Sequence, residues 1–225
     1  MGELDFTPFY LSFKLATFAT VILFAICLPL SWYFANSNSR YKPIFEALSA
    51  LPIVLPPSVL GFYILYALSY NSPIGAFFDK YFGLKLVFDF PGLVVASCLY
   101  SFPFMFQPLQ NGFESLDKSM IEASYIGGKS KLETLLKVAL PNIKPSLITA
   151  IVITFAHTVG EFGVVLMVGG SIPGKTKVAS VAIYEMVENM DYKSAHIYSA
   201  ILLSISFLVL LFVYLVNRKY KKAKS

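Results

Sequence analysis

LDKSMIEASYIGGKSKLETLLKVALPNIKP, residues 116–145, is amphipathic and lysine-bearing, and it lies between apolar segments long enough to cross a bilayer. Its pieces are too short to cross one themselves, because a helix rises about 1.5 Å per residue and the hydrocarbon core is roughly 30 Å thick. Glycine in a helix interior costs about 1 kcal/mol relative to alanine, so Gly127-Gly128 is read as the end of one helix and a tight reversal. Ser130 with Glu133 three residues on has the spacing of a capping box, which starts a second helix. That helix is expected to place Leu132, Leu135, Leu136, Ala139 and Leu140 on one face and to stop at Pro141. The residues alone leave two uses open for the hairpin, a helix pair lying on the membrane surface or a docking element for a partner protein.

Outward from the hairpin the chain is overwhelmingly apolar. Hydrophobic residues are 56% of 225, charged residues 14%, and the mean hydropathy is +0.67. Soluble domains carry roughly 25% charged residues. The apolar residues gather into five runs, Phe9 to Ala35, Ile44 to Tyr70, Phe90 to Gln110, Ser146 to Gly169 and Ile197 to Val216. Each is of bilayer length, and none shows the ten-residue alternation of a membrane barrel, so the fold class is all-α integral membrane with five to six transmembrane helices. A sixth element, from a break within residues 6–37 or a helix in 176–190, is left open by hydropathy. The first run is too long and lacks the small-x-small site of a cleaved signal, so it is taken as a retained span.

Twelve of the eighteen lysines and arginines fall after the first run (Arg40, Lys42), after the third (Lys118, Lys129, Lys131, Lys137, Lys144) and in the tail (Arg218, Lys219, Lys221, Lys222, Lys224). These stretches share one side in a five-span topology, which puts the N-terminus, with Glu3 and Asp5, outside and the C-terminus in the cytoplasm. The net charge of +5 follows from the same bias and calls for no nucleic acid. Cys27 and Cys98 lie within spans without metal-ligand spacing, so packing is their expected role.

Glu122-Ala123-Ser124, then Gly128, then Leu140-Pro141, with Pro141 nineteen residues after Glu122, resembles the EAA loop of ABC importer permeases. Ser124 is a small-residue departure from the alanine of the third position. In that family the loop enters a groove of a cytoplasmic ATPase. The resemblance therefore favours docking and implies that Glu122, Ala123, Ser124, Gly128, Leu140 and Pro141 couple the chain to its ATPase. Leu51-Pro52-Ile53-Val54-Leu55-Pro56-Pro57, Ser101-Phe102-Pro103, Gly160-Glu161-Phe162-Gly163 and Ser171-Ile172-Pro173-Gly174-Lys175-Thr176 narrow the match to permeases of the molybdate type. Sulfate and tungstate permeases share much of the pattern.

The resemblance implies a type I, MetI-like bundle, with residues 1–225 forming one permease domain and the coupling loop at about 114–144. It implies a homodimer in the cell membrane, two cytoplasmic ABC ATPase subunits and an extracytoplasmic molybdate-binding protein. ATP is used by the partner ATPase, and this chain is expected to bind no cofactor or metal and to be no enzyme. It contains no Gly-x-x-x-x-Gly-Lys-Ser/Thr run; Gly127-Gly128-Lys129-Ser130 imitates only its end.

Pro56, Pro57 and Ser58 are pathway candidates, because several prolines close together leave carbonyls that are more easily satisfied beside water than against lipid. Gly160 and Gly163 allow close helix approach as readily as they line a pore, and packing is expected. Glu161 stands out, since an acid near the bilayer centre costs roughly 2.5–3.5 kcal/mol on insertion scales. With His157 one turn earlier and Thr154 and Thr158 nearby, it reads either as a polar patch holding helices together or as a gate. An ion-coupled secondary transporter with Glu161 and His157 as a relay is the rival reading, but it would require further intramembrane ionisable residues and two related halves.

Overall fold

The computed structural model describes residues 5–222, so Glu3 and Lys224, which entered the charge distribution, lie outside the described residues. The chain forms α1 (Thr7–Ala35), α2 (Lys42–Val54), α3 (Pro57–Leu68), α4 (Pro73–Phe82), α5 (Phe90–Glu114) and α6 (Lys118–Ile126). There follow α7 (Lys131–Thr134), a π-helical turn (Leu135–Ala139), α8 (Leu140–Asn142), α9 (Lys144–Gly160), α10 (Gly163–Gly169), α11 (Ala179–Glu188) and α12 (Tyr192–Lys222). Among the described residues three helices, α1, α5 and α12, are long and apolar enough to cross a membrane, and up to five spans result if each of two bent pairs is counted as one. α1 is unbroken and the extra element is α11, a helix of 10 residues.

α1, α5 and α9 pack together around Leu23, Cys27, Met105, Phe106, Leu109 and Ala150. A second cluster, with Leu15, Leu93, Val165 and Val181, joins α1 and α5 to α10 and α11. A third, with Ile64, Ala96, Val164 and Val168, seats α3 on α10 and α5. α12 leans on α9 and α11 and leaves Leu203, Phe207 and Leu208 exposed, which is the expected state of side chains that face lipid.

Two of the expected spans are interrupted. The run Ile44 to Tyr70 is broken between α2 and α3, whose axes differ by 111°. A residue before proline is pushed out of the helical region, and here Leu55 precedes Pro56 and Pro56 precedes Pro57, so both adopt extended backbone with ψ of 138° and 135°. Pro57 then opens α3, where its missing N–H is harmless. The run Ser146 to Gly169 is broken at Glu161-Phe162, between α9 and α10. The two breaks meet: a Cβ on Gly163 would come within 2.7 Å of the Pro57 Cβ. Gly163 is thus a close-approach residue, whereas a Cβ on Gly160 would meet nothing within 4 Å, contrary to the packing expected of it.

Pro141 does not stop the second hairpin helix. The backbone widens into the π turn, the Leu140 amide bonds the Leu135 carbonyl, and α8 continues through Pro141 to Asn142. The wider turn accommodates a proline that has no amide to offer a normal helix. The chain then turns by 81° into α9.

Close contact of α5 with α9 depends on Gly112, where a Cβ would lie 2.6 Å from the Ser146 Cβ. We expect Gly112→Val to destabilise the bundle by about 1–3 kcal/mol, read as a lower melting temperature of the purified protein in detergent.

Candidate coupling hairpin and buried polar seam

Besides its continuation through Pro141, the hairpin departs from its sequence reading in which side it buries. Asp117 caps α6 by accepting from the Ser119 amide, and that hydrogen bond, with the Ser119 side chain, holds its carboxyl below the usual range. α6 ends in a Schellman arrangement: Gly128 has φ of 77°, its amide bonds the Tyr125 carbonyl, and the Lys129 amide bonds the Ser124 carbonyl. Ser130 and Glu133 form the full capping box, and Lys137 pairs with Glu133 at 2.9 Å.

Leu135, Ala139 and Ile143 are buried with Phe113 and Ile121, and Leu140 packs against them together with Trp32. Leu132 and Leu136 are 64% and 52% exposed, so the five residues expected on one face are divided between two. The helix is seated instead on the side that carries Thr134, Leu135 and Ala139, all buried, which turns Leu132 and Leu136 outward. Tyr125 lines a cavity with Leu132, and Ile126 on the same helix is exposed as well. Glu122 and Ala123 are exposed, and Glu122 borders a cavity of about 250 Å³ with Trp32, Asn38 and Lys118.

Ser124, the departure from the resembled motif, has a visible partner. Its Oγ lies 2.9 Å from Thr134 Oγ1, and both residues are buried, so the pair ties α6 to α7. No sequence signal connected them; the ten-residue separation closes only because Gly128 reverses the chain.

The second candidate site is a polar seam between α5 and α9. Ser101 Oγ lies 3.0 Å from His157 Nδ1 and 2.9 Å from Thr158 Oγ1, and the Thr158 hydroxyl donates to the Thr154 carbonyl. The His157 ring stacks on Phe104 at 3.9 Å and lies near Tyr100. Glu161 is the residue after α9, with extended backbone, so it does not share a helical face with His157 as expected. Among the described residues its carboxyl oxygens are buried without a hydrogen-bond partner, next to Ser97, whose hydroxyl is also unpartnered. The Glu161 carbonyl, released by the break, accepts from Ser180 Oγ at 2.6 Å. Ser101, His157 and Thr158 are bonded to one another, whereas among the described residues the Thr154 hydroxyl and the Glu161 carboxyl stand outside that bonding. Among the described residues no three of His, Cys, Asp and Glu gather to hold a metal. Pro56, Pro57 and Ser58 are exposed at the other break. Sequence reasoning missed Ser97 and Ser180; a hint was available in the Ser97 and Ser101 spacing, one helical turn apart on α5.

Removing the Ser124 hydroxyl leaves Thr134 Oγ1 buried without a partner. Ser124→Ala should cost about 1–3 kcal/mol in hairpin stability, seen as faster amide hydrogen exchange over 118–142, and Ser124→Ala with Thr134→Val should recover most of it.

Residues 15–222 match the family model "Binding-protein-dependent transport system inner membrane component". The chain is 43% identical over 226 residues to the molybdenum transport system permease protein ModB of Azotobacter vinelandii, covering 100% of this chain and 99% of that protein. It is 32% identical to a probable sulfate transport system permease protein, cysT, of Chlorella vulgaris, over 92% of this chain and 77% of that one. Its fold matches a bacterial ABC transporter that imports alginate, with TM-score 0.77, 15% identity and coverage of 97% of this chain and 80% of that chain. It also matches the inward-facing MetNI methionine ABC transporter, with TM-score 0.73, 17% identity and coverage of 97% and 99%. The chain has the type I importer permease fold and belongs to the family of binding-protein-dependent transport system inner membrane components, which are membrane permease subunits and not enzymes.

Proposed function

We propose that this chain is the permease subunit of an ATP-driven importer of molybdate. The observation that carries the reading is the end-to-end likeness, at 43% identity, to a molybdenum permease. The weaker likeness to sulfate permeases makes sulfate, with tungstate, the second reading.

In this reading two copies form the pathway, a binding protein delivers the oxyanion outside, and two cytoplasmic ATPase subunits dock on the hairpins and use ATP. The exposed Leu132, Leu136, Tyr125 and Ile126 supply apolar docking surface, and the exposed Glu122 stands on the first helix of the same hairpin. Small residues at Ala123 and Gly128 permit close backbone approach. The hairpin side faces the cytoplasm, as the lysine distribution favours. Ionised, Glu161 would repel an oxyanion, so its role is at a gate, in a contact that changes between inward-open and outward-open states. A high-affinity anion site would need guanidinium groups or several helix N-termini, so selectivity rests with the binding protein.

Uptake of labelled molybdate, tungstate and sulfate into vesicles that hold this chain with its ATPase and binding protein tests the reading. Uptake that requires ATP and follows the binding protein's preference is expected; uptake by this chain alone, driven by a proton gradient, would overturn it. In the same vesicles Glu161→Gln should lower uptake by about fivefold or more while the ATPase stays associated. Glu122→Arg should instead weaken ATPase association, measured by co-purification.

A further inference from the structure

α2 is thinly packed. Ser49 is its only buried residue, and Leu51, Ile53 and Val54 are exposed as it approaches the break at Leu55-Pro56. Two features hold its first turns to the rest of the molecule. Phe45 stacks on Phe34 with centroids 4.1 Å apart and meets Phe106 edge-on at 5.4 Å. Beside it, Lys42 Nζ lies 2.7 Å from Glu114 Oε1 and 3.9 Å from Glu46 Oε1. Gln110 Nε2 donates to Glu46 Oε1 at 2.5 Å and to Glu114 Oε1 at 2.9 Å, which closes the network across α2 and α5.

The position of the network matters more than its strength. Glu114 is the last residue of α5, and α6 begins at Lys118. The short connection is itself bonded: the Ser115 amide bonds the Asn111 carbonyl, the Leu116 amide bonds the Phe113 carbonyl, and the Ser115 hydroxyl donates to the Gly112 carbonyl. Phe113 also sits in the apolar cluster under the hairpin. A displacement of the hairpin therefore reaches Glu114 with little slack. On the far side of the 111° bend, α3 is seated on α10 and on the first half of α5 around Ala96, at the end of α5 away from Glu114 and the hairpin.

We propose that Lys42, Glu46, Gln110 and Glu114 form a clasp that makes α2 move with α5 and the coupling hairpin as one body, with the Leu55-Pro56 break as its hinge. They are positioning residues, and the clasp stays closed while the hairpin moves. The proposal rests on the importer reading above, since it assigns the path by which ATPase motion reaches the bend beside α10.

The test uses the complete complex, with its ATPase and binding protein, in proteoliposomes, reading molybdate taken up per ATP hydrolysed. Lys42→Cys and Glu114→Cys are introduced together in a background where Cys27 and Cys98 are alanine, and the pair is joined by a short, reductant-cleavable bis-thiol reagent. Without the link, uptake per ATP should fall about fivefold while the complex still co-purifies; with the link it should recover, and cleavage should abolish the recovery. Because one protein is measured in both states, misfolding cannot produce that pattern. Unchanged uptake per ATP without the link, a link that fails to restore it, or a link that arrests transport would each overturn the clasp. Absence of ATP-dependent uptake in the unsubstituted complex would strike the importer reading instead.

Discussion

A backbone amide or carbonyl released inside a bilayer costs several kcal/mol unless something else bonds it, and the arrangement of this protein follows from that constraint. It has two interruptions in runs that hydropathy reads as continuous, at Leu55-Pro57 and at Glu161-Phe162. Neither stands alone. Gly163 lets α10 approach Pro57 directly, and the freed Glu161 carbonyl is met by Ser180 from the start of α11. α11, too short to cross a membrane, thus has a structural task at the break.

The hairpin answers the same constraint differently. Its helix ends are satisfied locally by Asp117, by the turn at Gly128 and by the Ser130 and Glu133 box. Its buried side, from Phe113 to Ile143, attaches it to α5 and to Trp32 of α1, while Leu132 and Leu136 remain outward. One short element therefore carries both an anchored apolar face and a free one. Leu132 and Leu136 stand about one turn apart on the outward side, and Leu135 and Ala139 about one turn apart on the buried side.

Much of this was legible in the chain. The spans, the glycine reversal and the capping box depend on bonds between residues at most about five apart, and those are written in local order. The proline effect was legible in kind but not in degree: Pro52, Pro56 and Pro57 announce a disturbance, yet whether a helix bends or separates into two depends on whether another element covers the opening. Similarly, the apolar pattern placed Leu132 and Leu136 inward, whereas the helix is seated on Thr134, Leu135 and Ala139, a choice of face made by neighbours such as Phe113 and Ile121.

The sequence by itself determined the membrane class, the position of the spans, the hairpin and its caps, and the family resemblance, because hydropathy and short-range hydrogen bonding act along the chain. The tertiary structure alone decided which runs are broken, that Glu161 lies beside Ser97 and not in a bonded pair with His157, and that Lys42 meets Glu114 across 72 positions. Such contacts depend on how helices are rotated and tilted against one another, and that is set by close packing at residues such as Gly112 and Gly163, where the absence of a side chain has no periodic signature.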